Sequence, residues 1–305
     1  MEQTTKHISG TDVEMFLEKH LNITIKNFVH IQEGKHSDAF LYINNNKEYI
    51  ARFNVTDEGF LKDKYAYENF SNPNILIPKI LEIGSYNNNL FFCISEKVFG
   101  ETVKEQYGKQ DFSSLPIQFE TVEAIKATLV NPNDKGFGKW KLNGQTEYDF
   151  DKYFSEICIG GILDWTVFKD IPYFDKNFVE YLLTQAKKYS NHSINVRELV
   201  HGDFGVGNLF MNEGKVSGII DWAHSFYGDH FWDVGRIVLF CPNKKETTKI
   251  ALDFYKSYPN YKERIAWGVY CVMLKNYGVA LQSGQEASCL SSAGRIKEIE
   301  ERLNL

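Results

Sequence analysis

The chain changes its periodicity once, near Gly100, and that change limits which folds it can adopt. Before it, three strand-like runs, Ile23–Ile31, Ala39–Ile43 and Glu48–Asn54, follow a short helical stretch over Thr11–His20. Asn44-Asn45-Asn46 makes a tight turn between the last two runs. Gly59–Phe70 has helical spacing and stops at Asn72-Pro73-Asn74, and Leu90–Ser95 is a further apolar strand. After Gly100 the pattern is helical over Leu115–Val130, Asp149–Ile159, Asp175–Ser190, Phe231–Phe240, Lys244–Lys256, Arg264–Gln282 and Ala287–Leu303. Two short strands, Leu209–Met211 and Val216–Ile220, interrupt it around the turn Asn212-Glu213-Gly214. The expectation is an α+β chain of 305 residues. A small β-rich N-terminal lobe with a tether strand fills 1–97, and a larger, mainly helical lobe fills 98–305.

The net charge of −6 comes with no basic stripe, which argues against nucleic-acid binding. No run of 18 apolar residues occurs, so no membrane span is expected. The N-terminal MEQTTKHISG has no apolar signal core, and a cytoplasmic monomer is the default expectation. Cys93, Cys158, Cys241, Cys271 and Cys289 show no metal-ligand spacing and read as buried thiols in a reducing compartment.

The densest chemistry lies in Leu199–Asp229, LVHGDFGVGNLFMNEGKVSGIIDWAHSFYGD. Asp203 and Asn208 sit five residues apart on a loop loosened by Gly202, Gly205 and Gly207. Asp221 follows the second short strand, and a hairpin would return it beside Asn208. Two carboxylates and an amide oxygen form a hard-oxygen set suited to Mg²⁺ and a substrate phosphate, with one carboxylate left to orient a hydroxyl. A hydrolytic reading would make His201, Asp203, Asp221, His224, Asp229 and His230 a two-metal phosphoesterase. That set is compressed into one hairpin and lacks histidine ligands on separate loops.

H-G-D-x-x-x-x-N followed by I-I-D-W resembles the catalytic and metal loops of the aminoglycoside phosphotransferase family, relatives of protein kinases. The likeness extends through EGKHSDAF, YIARFN, EGFLKDKYAYENF, IPKILEIG and CISEKVFGETV, and is nearest to the hygromycin B phosphotransferases. It implies a bilobal protein-kinase-like fold and transfer of phosphate from ATP to a hydroxyl of a small cationic acceptor. Asp203 would be the catalytic base or hydroxyl-orienting carboxylate, and Asn208 and Asp221 would hold Mg²⁺. Ser95 C=O and Lys97 N–H would meet adenine, and His201 would shape the loop. The same scaffold serves kinases for choline, methylthioribose, homoserine and macrolides. A kinase-like module that binds nucleotide without turnover is a further alternative.

The chain departs from the kinase pattern at two places. The turn Glu33–Asp38, with Gly34 and Ser37, would cover the phosphates without the usual three glycines. It is no P-loop, because Val29 stands where that motif needs glycine. Arg52 occupies the place of the phosphate-gripping lysine, and Asp63 that of the bracing glutamate. A longer cation and a shorter acid span the same gap. Glu68 is the competing partner, and a plain strand-end charge is the bland reading of Arg52. Asp229 and Asp233 read as helix-start anchors. His224 and His230 read as neutral hydrogen-bonded side chains, and Trp165, Trp222 and Trp232 as core. Asp149, Asp151, Glu156, Asp164, Asp170 and Glu286 are the acids available to a cationic acceptor. Each alone also fits a solvated helix face.

Overall fold

Alternation at period two builds the first sheet. In the computed structural model, which describes residues 8–31, 38–128, 135–158, 164–193 and 196–305, the chain opens with helix α1 (Gly10–Leu21). Strands β1 (Lys26–Ile31), β2 (Asp38–Asn44) and β3 (Lys47–Asn54), helix α2 (Glu58–Phe70), and strands β4 (Ile80–Asn87) and β5 (Leu90–Glu96) follow. The five strands form an antiparallel sheet in the order β1-β2-β3-β5-β4. Asn44 pairs with Lys47, and the two intervening residues, Asn45 and Asn46, have φ of 49° and 61°. Positive φ at both positions suits a right-twisting hairpin, and asparagine tolerates it. Phe40, Tyr42, Ala51, Phe53, Phe92 and Ile94 of the sheet bury one core with Val13 and Leu17 of α1.

The second stretch runs through β6 (Glu101–Thr102), α3 (Val103–Gly108), α4 (Leu115–Lys126), β7 (Phe137–Trp140), β8 (Thr146–Tyr148) and α5 (Phe150–Tyr153). Then come α6 (Lys176–Ser190), β9 (Glu198–Val200), the hairpin β10 (Leu209–Asn212) and β11 (Lys215–Ile219), β12 (Phe226–Gly228), α7 (Phe231–Phe240), α8 (Lys244–Tyr255), α9 (Tyr261–Gln282) and α10 (Glu286–Leu303). The helix expected over Asp149–Ile159 is one α-turn that widens into a π-turn over Phe154–Cys158. Four short strands join in the order β8-β7-β12-β9, a sheet absent from the sequence reading.

α7 and α9 touch through backbone. A Cβ on Gly235 would meet the Gly268 carbonyl carbon at 2.4 Å, and one on Gly268 would meet Phe231 O at 2.0 Å. Only glycine at both positions allows this approach, and it sets which side chains of the two helices become neighbours.

The chain forms two compact units, Met1–Gly100 with Phe210–Ala223, and Glu101–Leu209 with His224–Leu305. The single boundary drawn at 97/98 therefore gives way to a discontinuous one. The hairpin returns to the first unit because Ile219 N donates to Leu76 O at 2.8 Å and Ser217 Oγ to Phe99 O at 2.5 Å.

Candidate active site

In the second unit one buried carboxylate shapes the catalytic loop. Asp233, in the first turn of α7, is fully buried and accepts from the backbone N–H of His201 at 2.7 Å and of Gly202 at 3.0 Å. Gly202 has φ +79°, and a Cβ there would lie 2.1 Å from His224 O, so the position requires glycine. Trp232 Nε1 donates to Gly202 O at 3.2 Å. At the far side of the loop Lys104 N, in the first turn of α3, donates to Val206 O at 2.8 Å. That first-turn N–H has no partner within its own helix, so the loop carbonyl satisfies it. Burial pushes Asp233 up to about 6, against the pull of the two N–H donors and Arg236.

Asp203 is held at the centre of this loop. Arg236 Nη2 lies 2.6 Å from Asp203 Oδ1, and Arg236 Nε donates to Phe204 O at 3.1 Å. Asn208 Nδ2 donates to Asp203 O at 2.9 Å and to Asp203 Oδ2 at 3.3 Å. Burial works to raise the Asp203 pKa, but Arg236, Lys275, His201 and His224 outweigh it and hold the carboxyl below its ordinary value. Asn208 thus uses its NH₂ on Asp203, and its Oδ1 remains as the hard oxygen that Mg²⁺ favours. A cleft of about 250 Å³ has Asp203–Asn208 as one wall and Arg236, Ile237 and Phe240 as another.

In the first unit Arg52 Nη2 pairs with Asp63 Oδ2 at 2.7 Å, and the pair is mostly buried. Glu68, the competing partner, lies 4.0 Å from Lys64 instead. Asp63 Oδ1 also accepts from Trp222 N at 2.8 Å, and the neighbouring Lys62 Nζ donates to Ala223 O at 3.3 Å. Two adjacent residues of α2 therefore grip the segment that follows Asp221. Asp221 itself has φ 65°, in the left-handed region that aspartate tolerates better than most side chains.

The tether differs from expectation. Strand β5 runs on through Glu96, and Ser95 sits in the ladder between Ile50 and Ile80. Lys97 N already makes a long hydrogen bond of 3.4 Å to Glu48 O, and Lys97 Nζ pairs with Glu48 Oε2 at 2.9 Å. Gly34 and Ser37 lie outside the described residues.

His230, expected as a neutral hydrogen-bonded side chain, sits between two carboxylates. Its Nδ1 is 2.6 Å from Glu198 Oε2 and its Nε2 is 3.2 Å from Glu123 Oε1. Burial opposes the charge, yet the two carboxylates and Asp229 raise its pKa. Asp229 forms a two-point ion pair with Arg264 at 3.0 and 2.7 Å. His224 is kept neutral: burial first, then Lys275, lowers it to about 4. Trp222 and Trp232 are fully buried. Of the six proposed acceptor acids, Asp149 caps α5 through Lys152 N and Asp164 caps a short 3₁₀ turn through Thr166 N. Among the described residues, none of the six forms an ion pair or hydrogen bond with the catalytic loop. Arg236 and Lys275 were not found from sequence. Arg236 lies three residues after Asp233, on the same helix face, which is the signal that could have exposed it.

A carboxylate and an amide on one loop, an arginine reaching them from α7, and a buried aspartate holding the loop backbone form an arrangement that suits phosphoryl transfer. Residues 150–266 match the APH family model, described as "Phosphotransferase enzyme family". The hygromycin-B 4-O-kinase of Escherichia coli is 28% identical over 237 residues, which is 77% of this chain and 68% of the relative. A thermostable mutant of aminoglycoside phosphotransferase APH(4)-Ia, in a ternary complex with AMP-PNP and hygromycin B, is 26% identical. It superimposes with a TM-score of 0.81 over 96% of this chain and 98% of that one. An aminoglycoside 2'-phosphotransferase-IIIa in its GDP complex shares the fold at 14% identity and a TM-score of 0.70, over 96% of this chain and 99% of its own.

Proposed function

We propose that the chain is an ATP- and Mg²⁺-dependent O-phosphotransferase that phosphorylates a hydroxyl of an aminoglycoside, of the hygromycin B type. The observation that carries this reading is Asp203, kept ionised by Arg236 and oriented by Asn208. A carboxylate whose pKa is held below its ordinary value is a weak base. It suits a loose transition state, in which the hydroxyl is oriented first and loses its proton late. The acceptor oxygen forms its bond to the γ-phosphorus as the bond to the β-phosphate oxygen breaks, and the hydroxyl proton passes to Asp203. Asn208 Oδ1 and the Asp221 carboxylate are the ligands we assign to Mg²⁺, which when bound neutralises phosphate charge. Arg52, braced by Asp63, grips the nucleotide phosphates, and Gly34 and Ser37, outside the described residues, are assigned to the same phosphates. Adenine takes the backbone at Ser95 and Lys97, where Lys97 N–H exchanges its long bond to Glu48 O. The five free cysteines are all buried, which fits a reducing cytoplasm. No helix among the described residues is long and apolar enough to cross a membrane.

The test is acceptor-stimulated ADP release with ATP and Mg²⁺, over hygromycin B, kanamycin, streptomycin, a macrolide and choline. Turnover with hygromycin B is expected. Asp203→Ala should lower kcat by about 10²-fold or more, the range for a positioned base, while leaving nucleotide affinity within a few fold. Turnover of choline or the macrolide alone would keep the mechanism and discard the aminoglycoside. Nucleotide binding without turnover of any acceptor would favour the binding module.

A further inference from the structure

The contact of α7 with α9 through Gly235 and Gly268 brings a second cation to the catalytic loop. Lys275 follows Gly268 by seven residues, two turns or about 10 Å along the same face of α9. Trp232 and Arg236 are one turn apart on α7 and therefore share a face. Lys275 Nζ lies 5.8 Å from the centroid of the Trp232 ring, whose Nε1 is bonded to the catalytic loop. Arg236, on the same face, reaches Asp203.

Lys275 is half-buried, and among the described residues it makes no hydrogen bond or ion pair. The two acids within electrostatic reach are already engaged: Asp203 by Arg236, and Asp233 by two loop N–H groups. The cations in reach are Arg236 and the exposed Lys139 of β7. Burial first, then Arg236, draws the Lys275 pKa down to about 8. A partly desolvated ammonium with an aromatic face but no anionic partner, next to a second cation, is costly unless a ligand brings the countercharge.

We propose that Lys275 and Arg236 form an oxyanion subsite beside Asp203 that takes a phosphate-type group. Two sources share that chemistry: the phosphoryl group in transfer, and an anionic substituent on an acceptor other than the aminoglycoside proposed above. Choosing between them rests on the phosphotransfer reading above. The existence of the subsite does not.

The test uses the full chain as wild type, Lys275→Met and Lys275→Arg, with inorganic phosphate, ADP·Mg and AMP-PNP·Mg as probes in titration calorimetry. Phosphate affinity should fall tenfold or more in Lys275→Met and recover to within threefold in Lys275→Arg. If the phosphoryl in transfer is the source, Lys275→Met weakens AMP-PNP at least fivefold, leaves ADP within twofold and lowers kcat. If the acceptor is the source, both nucleotides bind as before and acceptor KM rises at constant kcat. Should the methionine variant not fold, wild-type labelling with an amine-acylating reagent decides, since phosphate should protect Lys275 at least fivefold. Phosphate, AMP-PNP and acceptor KM all within twofold of wild type in a folded Lys275→Met, or no protection by phosphate, would overturn the subsite. Phosphate binding without any nucleotide binding would leave the subsite standing and sink the phosphotransfer reading instead.

Discussion

Asp63 serves two partners with its two oxygens, Arg52 through Oδ2 and Trp222 N through Oδ1. Removing either member of a buried ion pair leaves the other charge uncompensated and costs about 3–5 kcal/mol. Arg52→Met and Asp63→Ala should therefore each lower the urea midpoint. Their double-mutant cycle should give a coupling of about 1–3 kcal/mol. Asp63→Asn keeps an acceptor for Trp222 N and should fall between wild type and Asp63→Ala. A coupling near zero would mean that the two charges are merely neighbours. The Arg52–Asp63 pair was legible only through the resemblance to the kinase pattern, which left Glu68 as a competing partner. Asp203 and Asn208, which the structure joins by hydrogen bonds, stood out in a local motif that also offered Asp221 as a second metal ligand. Lys275 was not legible, because it comes beside Trp232 only through a close helix crossing between residues far apart in the chain.

At the scale of elements, His230 at the start of α7 ties α4 to β9 through Glu123 and Glu198. Lys126 and the Tyr258 hydroxyl pack on Glu123, and Asp229 with Arg264 closes the other side. The His230 pKa is raised above 6.5, so its stabilisation is complete below about pH 6.5 and is lost as pH rises through the folded value. Burial raises the Glu123 pKa, but His230, Tyr258 and Lys126 bring it down from 4.5 to about 2. Its stabilisation is complete above about pH 4.5 and is lost as pH falls toward 2. The Tm advantage of wild type over His230→Gln should thus be greatest between pH 4.5 and 6.5 and shrink on both sides. A difference independent of pH across 4–9 in thermal melts would reduce the network to packing. The helices themselves were legible because apolar spacing is local: α6 buries Phe178, Val179, Leu182, Ala186 and Tyr189 at helical intervals. The β8-β7-β12-β9 sheet was not, since its strands have three or four residues each, too few to show a period. β4 was hidden by two register shifts against β5, which break the alternation that marks a strand.

At the scale of the molecule, the first unit is made from two pieces of chain, and its second piece is short. Residues 210–223 supply the hydrogen bonds to Leu76, Phe99 and Asp63, and Trp222 packs its ring 6.0 Å from Phe70. Cut at Gly100, the first piece keeps its five-stranded sheet and α1 core but leaves Asp63 Oδ1 without its donor and uncovers Phe70. Trp222 is fully buried, and its removal compares with a large-to-small core substitution of about 3–5 kcal/mol. A small domain has a total stability of about 5–15 kcal/mol, so that loss alone reaches much of the margin. The fragment 1–100 should therefore melt broadly or at a far lower temperature than the same fragment joined by a flexible linker to 210–223. Circular dichroism melts of the two compare them directly. Equal, cooperative melts would mean that the hairpin rests on the first unit without stabilising it. A clear gain from the 14 joined residues, counted from Phe210 to Ala223, would show that the segment bearing Asp221 folds as part of the unit that holds Arg52 and Asp63. The candidate metal ligand would then share one cooperative unit with the candidate phosphate grip, whatever the state of the catalytic loop.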